Sequence, residues 1–263
     1  MTFPSIDPVI FSIGPLQVRW YGLMYVLGFA ASIVLVKHQI KKFGFRELDV
    51  HFENLNLVLI ISLVLGGRLG YVIFYNLPYY LRHPTEILAT WQGGMSFHGG
   101  MLGLIVGCII FCRRKNLDFW RVADFYVVTI PIGLGLGRIG NFINGELYGR
   151  VTDVPWGMVF PGGGPLPRHP SQLYEGFLEG LVLFMVLWLL KDRQAPPSSW
   201  PSGFMMAICM LLYGIFRIFV EFFREPDAHL GFIAVGLTMG QLLSSLMIAA
   251  GIIILLVRKK QSA

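Results

Sequence analysis

Long apolar blocks dominate this chain and constrain it more than any other feature. A membrane-crossing helix needs about 20 mostly apolar residues. Seven blocks come near or reach that length: Val18–Val36, Leu55–Tyr75, Gly99–Phe111, Val122–Leu136, Leu173–Leu190, Gly203–Phe223 and Gly236–Val257. The third and fourth are short, and Pro131 interrupts the fourth. Charged residues make up only 14% of the chain, against roughly a quarter in soluble domains. The apolar residues run in solid blocks, not in the half-buried stripes of soluble helices. These observations predict an all-α polytopic membrane protein of about seven spans, in a single transmembrane domain over 1–263.

Lysine gives the expected orientation. With the N-terminus outside, Lys37, Lys41, Lys42, Lys115, Lys191, Lys259 and Lys260 all fall inside, which is every lysine in the chain. This is the positive-inside pattern, and it predicts a periplasmic N-terminus and a cytoplasmic C-terminus. The cationic residues left on the outer side, or within the outer half of a span, are Arg19, Arg68, Arg82, Arg138, Arg150, Arg168, Arg217 and Arg224. All are arginines, which fork onto phosphate or carboxylate where lysine offers a point charge.

The segment Met1–Leu16 lacks a basic start and carries Asp7 and several prolines, so it reads as a short surface element and not a signal peptide. Cys108, Cys112 and Cys209 are odd in number and lie in apolar runs without histidines at ligand spacing. They indicate neither a disulfide frame nor a metal site. The net charge of +6 sits mostly beside apolar segments, with no basic patch interleaved with aromatics, so nucleic acid is not an expected partner.

Several polar clusters stand where lipid would be expected. Arg68 lies in Leu65–Tyr71 among glycines, and His98 is bracketed by two glycine pairs in Gly93–Gly100. The first is either a functional arginine or one snorkelling to the interface. The second is either a functional imidazole or a structural one. The stretch Gly135–Arg150 carries Arg138, Asn141, Asn144, Glu146 and Arg150 spaced by glycines, a density that a purely structural loop does not need. It opens the connection 138–170, expected to fold as a cap on the outer face. Gln172, Glu175 and Glu179 share a helix face at spacings of three and four, by function or as polar residues at a helix start. Tyr213, Arg217 and Glu221 stack at intervals of four. An Arg217–Glu221 pair would neutralise itself, yet it still needs a reason to be in the membrane. With the orientation above, Tyr21, Arg68, His98, Arg138, Asn141, Glu146, Glu175, Arg217 and Glu221 converge on the outer half of the bilayer. One arginine-rich site for an anionic lipid headgroup accounts for that convergence. An anion or lipid transporter would also use buried arginines, but it predicts polar residues at both faces and paired broken helices. A structural subunit would leave the arginines unexplained.

The run Gly-Arg-Ile-Gly-Asn-Phe-Ile-Asn-Gly-Glu at 137–146 is specific. Within the stretch Gly137–Arg150, and together with Asp7–Gly14, Trp20–Tyr25, Gly66–Tyr75, Gly93–Gly100, Leu166–Glu175, Tyr213–Asp227 and Met239–Gln241, it closely resembles the bacterial prolipoprotein diacylglyceryl transferase family. The resemblance implies transfer of the diacylglyceryl group of phosphatidylglycerol to the lipobox cysteine of a prolipoprotein signal peptide. A thioether forms and glycerol 1-phosphate leaves, with no metal or organic cofactor. It further implies that His98, Tyr21, Arg138, Asn141, Glu146, Gly149, Tyr213, Arg217 and Glu221 bind substrate or act in catalysis. His98, Arg138 and Arg217 are the expected catalytic residues, and Arg68 joins the expected substrate-binding set. The implied location is the bacterial inner membrane, with the site toward the periplasm.

Overall fold

A computed structural model describes residues 1–14, 16–90, 93–194, 200–226 and 236–262. Pro15, named above in the N-terminal segment, and Asp227, the end of one matching stretch, lie outside the described residues. Six helices are long and apolar enough to cross a membrane, and a bent pair supplies a seventh. The protein is therefore an all-α, polytopic membrane protein. Apolar side chains such as Phe74, Leu189 and Val50 point outward, while Glu175, Glu179 and Gln172 are fully buried. That inversion suits lipid as solvent, where a chain must satisfy its polar groups internally.

Contacts divide the chain into two units, Met1–Gln39 with Ala123–Ala263, and Ile40–Val122. The first unit opens with a hairpin of β1 (Val9–Ile13) and β2 (Leu16–Arg19). The Asp7 carboxylate accepts from the Val9 amide at 2.8 Å just before it. Helix α1 (Trp20–Phe43) follows directly and runs on into the second unit.

In the second unit, α2 (Arg46–Tyr75) packs along α4 (Phe97–Arg114), joined through α3 (Leu77–Arg82) and a 3-10 turn at Pro84–Leu88. Small residues make this approach possible, as they do between membrane helices generally. A methyl group on Gly66 would lie 2.5 Å from the Gly99 carbonyl oxygen. Ser96 caps α4 by accepting from the Gly99 amide at 3.2 Å.

The rest of the first unit begins with α5 (Phe119–Val127) and α6 (Ile130–Ile143), bent by 43° at their junction. The block expected over Val122–Leu136 is thus two helices with a sharp bend between them. Pro131 falls in the first turn of α6, where its missing N–H is harmless. The Thr129 hydroxyl donates back to the Tyr126 carbonyl at 2.9 Å and meets Ser32 Oγ at 2.7 Å, which satisfies polar groups at the break. The next span, Ser171–Gln194, is α7 (Ser171–Glu175), a π-helical stretch at Gly176–Val182, α8 (Leu183–Leu190) and a terminal 3-10 turn. Helices α9 (Phe204–Glu221) and α10 (Met239–Ser262) complete the unit and pack on each other. Between α6 and α7 the chain forms a folded connection, with bridges Val151 to Arg168 and Met158 to Arg168. Phe160 is buried at its centre against Phe3, Phe142 and Tyr148.

Candidate active site

The polar face of α6 starts a chain of hydrogen bonds. Arg138 and Asn141, three apart, share one side of the helix. Arg138 Nη1 donates to Asn141 Oδ1 at 3.4 Å, and Asn141 Nδ2 donates to Glu146 Oε1 at 3.0 Å. Asn144 Nδ2 reaches the same carboxylate oxygen at 3.0 Å. Gly145 and Leu147 both take positive φ, which turns the chain so that Glu146 points back at the helix it has just left. Gln172 and Ser171, at the start of α7, donate to the carbonyls of Glu146 and Leu147 and hold this turn.

Glu175 is the hub. It is fully buried, and its Oε2 takes Arg138 Nε at 2.6 Å and Arg217 Nη1 at 2.8 Å. Arg224 lies 4.0 Å from its other oxygen. Arg217 also pairs with Glu221 at 3.1 Å and lies 3.6 Å from Glu179. Three arginines thus face three buried glutamates, so the site is charge-compensated, not simply basic. Glu221 is held in turn by the Thr238 hydroxyl at 2.9 Å, just before α10. A methyl on Gly240 would come within 2.7 Å of the Glu221 carboxyl. Tyr213 sits one turn before Arg217, against the apolar core around Val127, Leu183 and Leu187.

Close glycine contacts bring these elements together. Gly135 on α6 meets Gly180 of the π-helical stretch, where an added methyl on Gly180 would lie 2.6 Å from the Gly135 Cα. Gly140 packs under the Tyr21 ring, whose hydroxyl is 3.1 Å from that of Tyr25. Gly149 has no room for a side chain between the Phe223 carbonyl and His169, and its amide donates to the His169 carbonyl at 2.8 Å. Arg150 reaches the carbonyls of Arg224 and Glu221, at 2.9 and 3.5 Å. Arg168 ties together the connection between α6 and α7, donating to the Gly163 and Gly149 carbonyls and pairing with Glu225 at 3.0 Å. Beside it, Trp156 Nε1 donates to the Tyr174 hydroxyl at 2.6 Å, and that hydroxyl lies 3.1 Å from His169 Nδ1. Burial holds the His169 imidazole below its ordinary titration range, which favours the neutral ring that can accept from Tyr174.

In the second unit Arg68 is buried and its fork is taken up by backbone. Nε donates to Ile87 O at 2.7 Å, Nη2 to Glu86 O at 2.7 Å, and Nη1 to Gly93 O and Gly94 O at 2.6 and 3.1 Å. The guanidinium also stands 5.1 Å from the Tyr80 ring centroid. Arg68 therefore secures the loop that leads into His98. His98 itself is exposed in the first turn of α4, edge-on to Phe97.

Of the residues singled out in the sequence, Tyr21, Arg138, Asn141, Glu146, Gly149, Tyr213, Arg217 and Glu221 lie in the first unit, and Arg68 and His98 in the second. Thr238 was not legible as part of the site: a threonine before an apolar run reads only as a helix start.

The fold and site define a multi-pass helical membrane protein with a buried, glycine-fitted network of arginines, glutamates and asparagines. The family model for prolipoprotein diacylglyceryl transferase matches residues 8–257. The chain belongs to that family and is a transferase. It is 62% identical over 252 residues to a phosphatidylglycerol–prolipoprotein diacylglyceryl transferase of Desulfotalea psychrophila, covering 95% of this chain and 93% of the relative. It is 52% identical to the enzyme of that name from Geobacter sulfurreducens, covering 96% and 95%. For the one from Pseudomonas aeruginosa the identity is 51%, covering 96% and 93%.

Proposed function

We propose that this chain moves the diacylglyceryl group of phosphatidylglycerol onto the lipobox cysteine of prolipoproteins, as the first step of lipoprotein maturation. The substrate sulfur attacks the glycerol carbon that carries the phosphate. The C–S bond forms as the C–O bond breaks, and the electron pair leaves on the phosphate oxygen as glycerol 1-phosphate. The thiol gives up its proton, because the thiolate is the nucleophile. The observation that carries this reading is the meeting of Arg138 and Arg217 on one Glu175 oxygen, at 2.6 and 2.8 Å. Two fixed guanidiniums in a low-dielectric site stabilise a departing phosphate well. In this reading Arg138 and Arg217 hold the phosphate, while Asn141 and Glu146 orient the glycerol hydroxyls. Tyr21, Tyr213 and Gly149 shape the lipid site, Glu221 fixes Arg217, and His98 accepts the thiol proton. Arg68 serves by bracing the loop before His98.

The test is purified protein in detergent with phosphatidylglycerol and a lipobox peptide. Loss of free thiol and appearance of glycerol 1-phosphate in equal amounts are expected. A thiol left intact while the lipid is hydrolysed would refute transfer.

The same reading makes the chain one catalytic domain of the bacterial inner membrane, with the 138–170 cap and the site facing the periplasm. The one-sided lysines support it. A reporter active only in the periplasm should work when fused after Tyr80 and be silent when fused after Lys191; the reverse result would invert the topology.

A further inference from the structure

We propose that Glu175 is a positioning residue for this reaction, setting the spacing of the Arg138 and Arg217 guanidiniums so that both reach a single phosphate. The inference rests on the reading of the site as one that binds phosphatidylglycerol. The observation behind it is that both guanidiniums share one carboxylate oxygen, not one oxygen each. Their donor nitrogens can be no farther apart than the sum of the two distances, 5.4 Å. The Nε hydrogen of Arg138 is spent on Glu175, so a phosphate would be met by the remaining nitrogens of two guanidiniums held side by side.

Burial says on which side the carboxylate stands. Glu175 is fully enclosed, whereas the Arg138 side chain is 20% exposed. The glutamate braces the pair from the protein interior, and the exposed part of Arg138 is left toward a ligand. The local fold supports that bracing. Gly176 follows Glu175 and lies against the Arg138 Cβ, and the Gly135–Gly180 contact brings the π-helical stretch onto α6. The wider π turn is itself a feature that recurs at functional sites. Bracing also answers a physical difficulty. Two like charges this close repel, and without a shared counter-charge each long side chain would adopt its own rotamer.

The role predicts an unusual kinetic pattern. Glu175→Gln keeps the shape and one acceptor oxygen but removes the charge that draws both arginines together. The anionic lipid then meets less negative charge, so its binding does not weaken. Catalysis suffers because the two guanidiniums no longer meet the phosphate together as charge develops. Glu175→Asp keeps the charge but pulls the pair inward by one methylene.

The experiment measures kcat and KM for phosphatidylglycerol in wild type and both variants, on monodisperse detergent-purified protein with a lipobox peptide. Glu175→Gln is expected to lose kcat by about 100-fold with KM unchanged or lower, and Glu175→Asp by about tenfold with KM unchanged. If the glutamine variant does not fold, the aspartate variant decides alone. A purely structural role would instead raise KM in step with the loss of kcat, and that result overturns the inference, as does a kcat within threefold of wild type in the deciding variants. Absence of transfer by wild type itself would strike the proposed function and this inference with it; transfer by wild type with unaffected variants strikes only the inference.

Discussion

Arg138→Lys is expected to lose about 100- to 1000-fold in kcat while the protein still folds. The replacement keeps the charge, so a role as a mere cation would survive it. Arg138, however, works in two directions at once. Its Nε is committed to Glu175 at 2.6 Å, and its Nη1 leans on Asn141 at 3.4 Å. The remaining edge of a planar fork is what can meet a phosphate. Lysine has one nitrogen on a flexible stem and can serve Glu175 or the lipid, but not both in fixed geometry. Removing one preorganised donor from a site where charge develops typically costs about 2.7–4 kcal/mol. The measurement is initial rate against phosphatidylglycerol concentration, with thermal unfolding in detergent as the folding control. Turnover within tenfold of wild type would show that Arg138 acts as a point charge, and the shared-oxygen arrangement would lose its purpose.

What could be read from sequence depended on how far apart the partners lie along the chain. Arg138, Asn141 and Glu146 occur within nine residues, and Arg217 and Glu221 one turn apart, so helix geometry alone suggests their contacts. The apolar blocks were equally legible, because lipid imposes length and composition on any span. The Arg217–Glu175 pair joins residues 42 positions apart, and no local pattern announces it. The shared face of Gln172, Glu175 and Glu179 was visible, but the π-helical stretch that follows Glu175 was not, since sequence periodicity carries the ordinary helical repeat. Arg68 shows a different limit. A snorkelling arginine, a ligand-binding one and one gripping backbone carbonyls look alike in sequence. The carbonyls of Glu86, Ile87, Gly93 and Gly94 belong to a loop whose path only the fold defines. The charge balance was hidden for a similar reason: Glu175 and Glu179 stand out in sequence, but which arginines they answer depends on how α6, α9 and their own helix meet.

His98→Gln is expected to lose at least about 100-fold in turnover at pH 7, and to recover part of that loss at high pH. Glutamine keeps polarity and hydrogen bonding but cannot take a proton. General-base assistance is typically worth about 10²–10⁴-fold, and an imidazole is the side chain suited to that work near neutrality. The position favours such a role. His98 is exposed at the start of α4, with Ser96 capping the turn and Arg68 fastening the loop just upstream through Gly93 and Gly94. The ring is thus presented from a braced backbone and not buried for packing. The competing account gives the thiol no base at all: nearby arginines lower its pKa from about 8.5, and the thiolate forms unaided. The two accounts separate in the pH profile. If His98 takes the proton, the glutamine variant should gain rate as pH approaches the thiol's own ionisation, because hydroxide-driven thiolate then replaces the missing base. If the arginines suffice, the variant should show a small loss and a profile of unchanged shape. Near-wild-type turnover by His98→Gln at pH 7 would assign thiol activation to Arg138 and Arg217, and leave the histidine as part of the glycine-flanked loop it closes.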